Sequence, residues 1–270
     1  IPEIAADFYQ IDDAIRTGYA WSYGPFEIWD NLGIKEAVEM MKSCGEEVPS
    51  WITDMIDSGA KSFYVFEDGK KKFYDLNTKK YKTVPSSKNH YILDAFRENK
   101  QILKNPECTV HDIGDGVMCI EFQTKGNSIG EGIAKGINEA IDIAEKDGWN
   151  GIVIGNNDKQ FSVGANLMNM GMMAMQKNFD EIEKFLVGFQ KILMRMRTCN
   201  VPVVSATHGF VLGGGLEVSI HCDAGIHASE SYIGLVEAGV GLIPGGGGTK
   251  EMAMRLSLIH ISEPTRPNCI

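Results

Sequence analysis

The chain has 270 residues, 43% of them hydrophobic and 23% charged, and 26 Lys and Arg stand against 36 Asp and Glu for a net charge of −10. That size and composition suit one large globular domain or two modest ones with a substantial apolar core. The acidic balance argues against a nucleic-acid partner, no apolar run approaches the ~18 residues of a membrane span, and no secretory signal opens the chain.

Six scattered cysteines (Cys44, Cys108, Cys119, Cys199, Cys222, Cys269) form no C-x-x-C pair and read as reduced thiols of a cytoplasmic protein. His208, His221 and His227 lack a metal-ligand constellation, so no metal is expected. They read as packing or surface residues.

Residues 1–62 read as helical. Ile11, Ala14 and Ile15 form a short apolar stripe, Gly24-Pro25 ends one helix and begins the next, and Ala37, Val38 and Met41 share a face of a third. Ser50 is placed to cap a further helix carrying Trp51, Ile52, Met55 and Ile56. Residues 63–106 read as a hairpin and linker. Asp68-Gly69 between two aromatic-rich runs is a two-residue hairpin signal, and the Lys-rich segment from Thr78 to Lys104 reads as a linker with a short helix near Ile92 to Leu103. The lysines at 70, 71, 72, 79, 80 and 82 read as a solvated face.

From residue 107 to 255 the pattern is α/β. Val117 to Phe122 and Gly151 to Ile154 are strands, and Ile133, Ile137, Ala140, Ile141 and Ala144 recur at helical spacing between them. Ile182, Phe185, Leu186, Phe189, Ile192, Leu193 and Met196 form one stripe of a long helix, expected to pack on the sheet. Met168, Met170, Met172, Met173 and Met175 read as adaptable packing around a pocket or under a loop. A strand beginning at Val201 turns at His208-Gly209, and Gly213, Gly214 and Gly215 open a helix with Glu217 in its first turn. Unpaired N–H groups at such a start favour an oxyanion. Twenty residues later comes Glu237, an acid between Val236 and Ala238, followed by the run Gly245 to Gly248. Gly239-Val240-Gly241 has Pro244 where a dinucleotide fingerprint needs its third glycine, and Gly245 to Lys250 ends Thr-Lys, the reverse of a P-loop, so neither is a nucleotide motif.

The segment Gly209 to Glu217, followed by Cys222-Asp223, Glu237 and Ile243 to Thr249, resembles the signature of the enoyl-CoA hydratase/isomerase (crotonase) family. Upstream, Gln160 to Leu167 is similar to that family's CoA-contacting loop, and Tyr23 to Asp30 is similar to the C-terminal helical domain of 3-hydroxyacyl-CoA dehydrogenases. The resemblance implies a ββα spiral of the crotonase type, preceded by a small helical domain that is the tail of a dehydrogenase, in a bifunctional fatty-acid oxidation protein. It implies hydration of a trans-2-enoyl-CoA, with Glu217 activating water and Glu237 supplying the C2 proton. The oxyanion hole would use the backbone N–H groups of Val163 and Gly214, and Ser162, Ala165, Asn166 and Leu167 would contact CoA. The acyl-CoA is substrate and no cofactor is expected in the chain, NAD belonging to the dehydrogenase half outside it; a homo-oligomer is left open. Either acid alone has a structural explanation, Glu217 as a helix-start acid above all. The rival readings are an isomerase, which needs one shuttling base, an acyl-CoA-binding module without turnover, and a structural interaction domain. Residues 256–270 are similar to a translated sequencing adapter, so the chain is expected to be a gene fragment lacking the family's closing C-terminal helices.

Overall fold

The computed structural model describes residues 4–67, 69–85, 91–96 and 100–255, which leaves the adapter-like tail, Cys269 and Asp68 outside the described residues. The chain divides into two compact units, Ile1–Phe96 and Arg97–Ile270.

In the first unit, helices α1 (Phe8–Tyr19), α2 (Pro25–Leu32), α3 (Ile34–Ser43) and α4 (Ser50–Asp57) precede an antiparallel sheet of β1 (Tyr64–Glu67), β2 (Lys70–Asp75) and β3 (Lys80–Thr83). Pro25 opens α2 at its first turn, where a missing N–H costs nothing. Pro49, not Ser50, occupies the cap of α4, and Ser50 is its first helical residue. The hairpin forms as its Asp-Gly signal predicts, with Glu67 opposite Lys70 and Gly69 at φ +69. Packing joins the sheet to the helices: Phe63 stacks on Trp29 at 5.5 Å, and Phe8 meets Phe26, Phe63, Tyr64 and Phe73. Residues 63–84 therefore belong to this core and are no linker.

Two further readings change here. The buried face of α1 carries Phe8 and Asp12, while Ala14 is exposed. Asp12 accepts the N–H groups of Phe26 and Glu27 at the start of α2 and the Tyr64 hydroxyl at 2.7 Å. An acid satisfied in this way can be fully buried. Lys71 is buried as well, pairing with Glu27 and lying 3.9 Å from the centre of the Tyr64 ring, so the basic cluster is only partly a solvated face.

The second unit is built on a six-stranded sheet. Its strands are β4 (Gln101–Lys104), β5 (Cys108–Gly114), β6 (Val117–Phe122), β7 (Gly151–Ile154), β8 (Val203–Thr207) and β10 (Ala224–His227), in the order β10-β8-β7-β6-β5-β4. The β4-β5-β6 part is antiparallel and the rest parallel. Among the described residues, the stretch expected to hold a short helix near Ile92 to Leu103 contains a 3-10 turn, Leu93–Phe96, and an edge strand. Helix α5 (Glu131–Asp147) is the crossover between β6 and β7, and its Ile133, Ile137, Ala140, Ile141 and Ala144 are all buried on the sheet. Helix α6 (Leu167–Met175) and helix α7 (Phe179–Thr198) follow β7. Only the second half of the α7 stripe, Phe189, Leu193 and Met196, is buried in the core. A small parallel ladder of β9 (Phe210–Leu212) with β11 (Tyr232–Gly234) completes the unit, together with α8 (Gly214–His221) and α9 (Gly248–Arg255). Among the described residues no helix is long and apolar enough to cross a membrane.

Candidate active site

Four backbone segments of the second unit converge on one cavity of about 440 Å³. The first is the loop 161–166. Ser162 bridges Val211 of β9 and Ala165 bridges Ile129, so the loop is held between two partners. Gly164 lies at φ +93, and a Cβ there would stand 2.8 Å from the Leu212 carbonyl and 3.1 Å from the Gly214 nitrogen. Only glycine lets the loop come this close to the start of α8.

Which N–H groups of the loop stay open to the cavity follows from the acceptors that the others have found. The N–H of Ser162 goes to Phe210 O, that of Val163 to Gly126 O at 3.1 Å, and that of Gly164 to Ser162 Oγ at 3.1 Å. Val163 is thereby ruled out as an oxyanion donor, because its N–H is already spent on a carbonyl. The N–H beside Gly214 is that of Ala165: a Cβ built on Gly214 would lie 3.5 Å from it. No acceptor among the described residues takes the N–H of Ala165 or of Gly214. Two open donors side by side at the wall of a cavity suit an oxygen that gains charge.

The other expected loop residues divide. Ser162 is fully buried, and its Oγ donates to Asn127 O at 2.7 Å while accepting from Gly164, so it supports the loop and offers nothing to a ligand. Asn166 caps α6 by accepting the Asn169 N–H at 3.3 Å. Leu167 is half exposed and lines the cavity, as do Val163 and Ala165.

The second and third segments carry the acids. Glu217, in the first turn of α8, is 2% exposed. Its Oε1 accepts the N–H groups of Gly246 and Gly248, both at 2.8 Å. Burial pushes this carboxyl up from its ordinary value; the Gly248 and Gly246 N–H groups oppose the rise, and the charge of Glu237 adds to it. Glu237 opens a 3-10 turn, Glu237–Val240, just after β11. Pairing of Gly234 with Leu212 and the bond from Gly213 N–H to Gly234 O bring that turn beside the start of α8. A Cβ on Gly213 would lie 3.1 Å from Glu237 Oε1. Glu237 Oε2 is buried without a donor among the described residues, which leaves it open to a ligand in the cavity.

The fourth segment is the run Gly245 to Gly248, whose amides hold Glu217. The sequence signature marks these glycines, but their role becomes visible only from where their N–H groups point. The remaining wall is mostly apolar, and part of it comes from the first half of the α7 stripe: Ile182, Phe185 and Leu186 line the cavity. Met170 of the methionine cluster joins them, while Met168, Met172 and Met175 are exposed. No group of three metal-ligating side chains occurs among the described residues. The cavity can therefore hold an apolar acyl group, bind one oxygen by two N–H groups and move protons at two carboxyls.

Comparison with known proteins identifies the class. Residues 112–258 match the family model for enoyl-CoA hydratase/isomerase, and the chain belongs to that family. A solved enoyl-CoA hydratase from Polaromonas sp. JS666 shares the fold with a TM-score of 0.53 at 23% identity, over 55% of this chain and 58% of that one. Across most of its length the chain is 41% identical to a Bacillus subtilis protein named "Probable 3-hydroxyacyl-CoA dehydrogenase", over 251 residues that cover 93% of this chain and 31% of that protein. It is also 30% identical over 152 residues to the fatty acid oxidation complex subunit alpha of a Psychrobacter strain, covering 55% of this chain and 21% of the subunit. The chain thus spans about a third of the length of that Bacillus subtilis relative, and the match to it reaches into the first unit.

Proposed function

We propose that the second unit hydrates a trans-2-enoyl-CoA to the 3-hydroxyacyl-CoA in fatty-acid β-oxidation. The observation that carries this reading is the convergence of two carboxyls and two open backbone N–H groups on one apolar cavity. The thioester oxygen binds the N–H groups of Gly214 and Ala165, which draws electron density from the C2=C3 bond. Glu217, fixed through Oε1, takes a proton from water with its other oxygen as the water oxygen bonds to C3. Glu237 delivers its proton to C2, and the proton held by Glu217 restores the pair through solvent. Each donor to the oxyanion is worth ~10²–10³ in rate and each proton transfer ~10²–10⁴. Two acids in separate positions serve water addition directly, whereas moving a double bond asks for one shuttling base.

The names of the relatives support a second proposal, that the first unit is the tail of a 3-hydroxyacyl-CoA dehydrogenase in a multifunctional protein. NAD would then serve that dehydrogenase half, and the hydratase unit needs only its acyl-CoA substrate. The described cysteines, Cys44, Cys108, Cys119, Cys199 and Cys222, are all free thiols, which favours a cytoplasmic setting. The test is loss of the conjugated enoyl-thioester ultraviolet band with trans-2-butenoyl-CoA for the wild type, Glu217→Gln and Glu237→Gln. Rapid loss with the wild type and near-silence of both variants is expected. A folded wild type that binds the thioester without consuming it would overturn the proposal.

A further inference from the structure

Glu217 owes its position to the N–H groups of Gly246 and Gly248. The aim of the carboxylate therefore depends on what fixes the glycine run, and the fixing contacts come from one face of α7. Gln190 Nε2 donates to Gly245 O at 2.6 Å, and Phe189 and Leu193 close over Gly246. One turn on from Leu193, Arg197 donates through Nη1 to Glu251 Oε1 at 2.7 Å and through Nη2 to Glu251 Oε2 at 2.6 Å.

Glu251 lies in α9, the helix that the glycine run opens, and its own N–H donates to Gly247 O at 3.0 Å. Its side chain is 3% exposed. Arg197 Nη2 also donates to Ile220 O at 3.2 Å, which ties the same guanidinium to α8, the helix carrying Glu217. Behind them His221 gives its Nδ1–H to the Glu217 carbonyl at 2.7 Å, with its Nε2 3.7 Å from Glu251, and Lys250 Nζ stands 2.9 Å from Glu251. One planar, two-pronged cation thus sets the helix that holds the carboxylate against the helix whose start supplies its donors. Neither Arg197 nor Glu251 lines the cavity.

We propose that the Arg197–Glu251 pair is a positioning device for Glu217, holding the glycine run so that two amides fix one carboxylate oxygen and leave the other for water. This rests on Glu217 being the base of the hydration reaction. Burying an ion pair is a poor route to stability, since apolar replacements are often neutral, but its fixed geometry suits an element that must hold a register.

The test is steady-state hydration of trans-2-butenoyl-CoA by the full chain carrying Glu251→Gln, and by a second variant, Arg197→Met/Glu251→Met. The paired change removes both charges together and leaves no lone buried ion to unfold the protein. The expected result is a fall in kcat on the order of 10–10²-fold with KM changed by less than about threefold, the pattern of a misaimed group. Adding Glu251→Gln to Glu217→Gln should then cost nothing further. Wild-type kcat in both folded variants would overturn the inference, and so would an equal loss in the Glu217→Gln background. If the wild type itself fails to hydrate, it is the hydratase reading that falls, a result distinct from either.

Discussion

Gly246→Ala perturbs the central geometry with a single methyl group. Gly246 does not occupy the left-handed region of backbone space, so its conformation is open to alanine and the effect must come from contact. The added Cβ would stand 2.6 Å from Glu217 Oε2, 2.7 Å from Phe189 Cε1 and 2.8 Å from Leu193 Cδ1. Ordinary contact begins near 3.4 Å, so the carboxylate must retreat by about 0.8 Å or the glycine run must lift away from it. Overpacking of this kind costs ~1–3 kcal/mol of stability. A displacement near 1 Å at a catalytic group costs up to ~10² in rate. The expected result is a melting temperature lowered by several degrees and kcat down by ~10–10²-fold, measured by circular dichroism and by the enoyl-thioester band. A folded Gly246→Ala protein with wild-type kcat would refute the placing of Glu217 at the reacting water.

Gly188→Ala is the matched control on α7: nothing lies within 4 Å of the added methyl, so helix propensity alone should stabilise the chain by ~0.5–1 kcal/mol, seen as a higher melting temperature with kcat unchanged. The bonds from Arg197 hold the Glu251 carboxyl down to about 2 against an ordinary 4.5. The stabilisation this gives is fully present above pH 4.5 and is lost as pH falls toward 2, so urea melts of wild type and Glu251→Gln should converge across that window. Because burial raises Glu217, the acid limb of kcat/KM should lie above the ordinary 4.5 of a glutamate, and a limb at or below that value would argue against Glu217 as the base. In the first unit, Asp12→Ala strands two N–H groups and the Tyr64 hydroxyl. A loss of ~2–4 kcal/mol is expected, read from the fluorescence melt of Trp29 and Trp51, which lie in that core.

The periodic parts of the fold were legible from the residues. The α5 stripe, the buried strand Gly151–Ile154 and the Asp-Gly hairpin each carry a local signal that tertiary packing did not override. What failed was short or two-sided. Gln101–Lys104 is four residues of mixed polarity, and only its pairing with β5 makes it a strand. Lys71 read as a solvated charge, and Asp12 drew no notice, because the partners that let them be buried lie far away in sequence. At the site, the motifs located both acids and Gly214, since glycine runs and isolated acids stand out by composition. They missed the step from Val163 to Ala165. That choice depends on which N–H already has an acceptor: Val163 donates to the distant Gly126 carbonyl, while Ala165 finds none among the described residues, and no local signal in the sequence reports either fact. The first half of α7 was misassigned for a related reason: periodicity finds an apolar face but not whether a sheet or a cavity lies against it.

The central claim is that Glu217 and Glu237 together add water across an enoyl-CoA double bond. Its most direct test is the reaction of trans-2-butenoyl-CoA in oxygen-18-labelled heavy water, followed by mass spectrometry of the product. The account predicts a 3-hydroxyacyl-CoA carrying one heavy oxygen at C3 and one deuterium at C2, formed by the wild type and almost absent with Glu237→Gln. A product that gains deuterium but no oxygen, with its double bond merely shifted, would contradict hydration and show that the two carboxyls serve a different reaction.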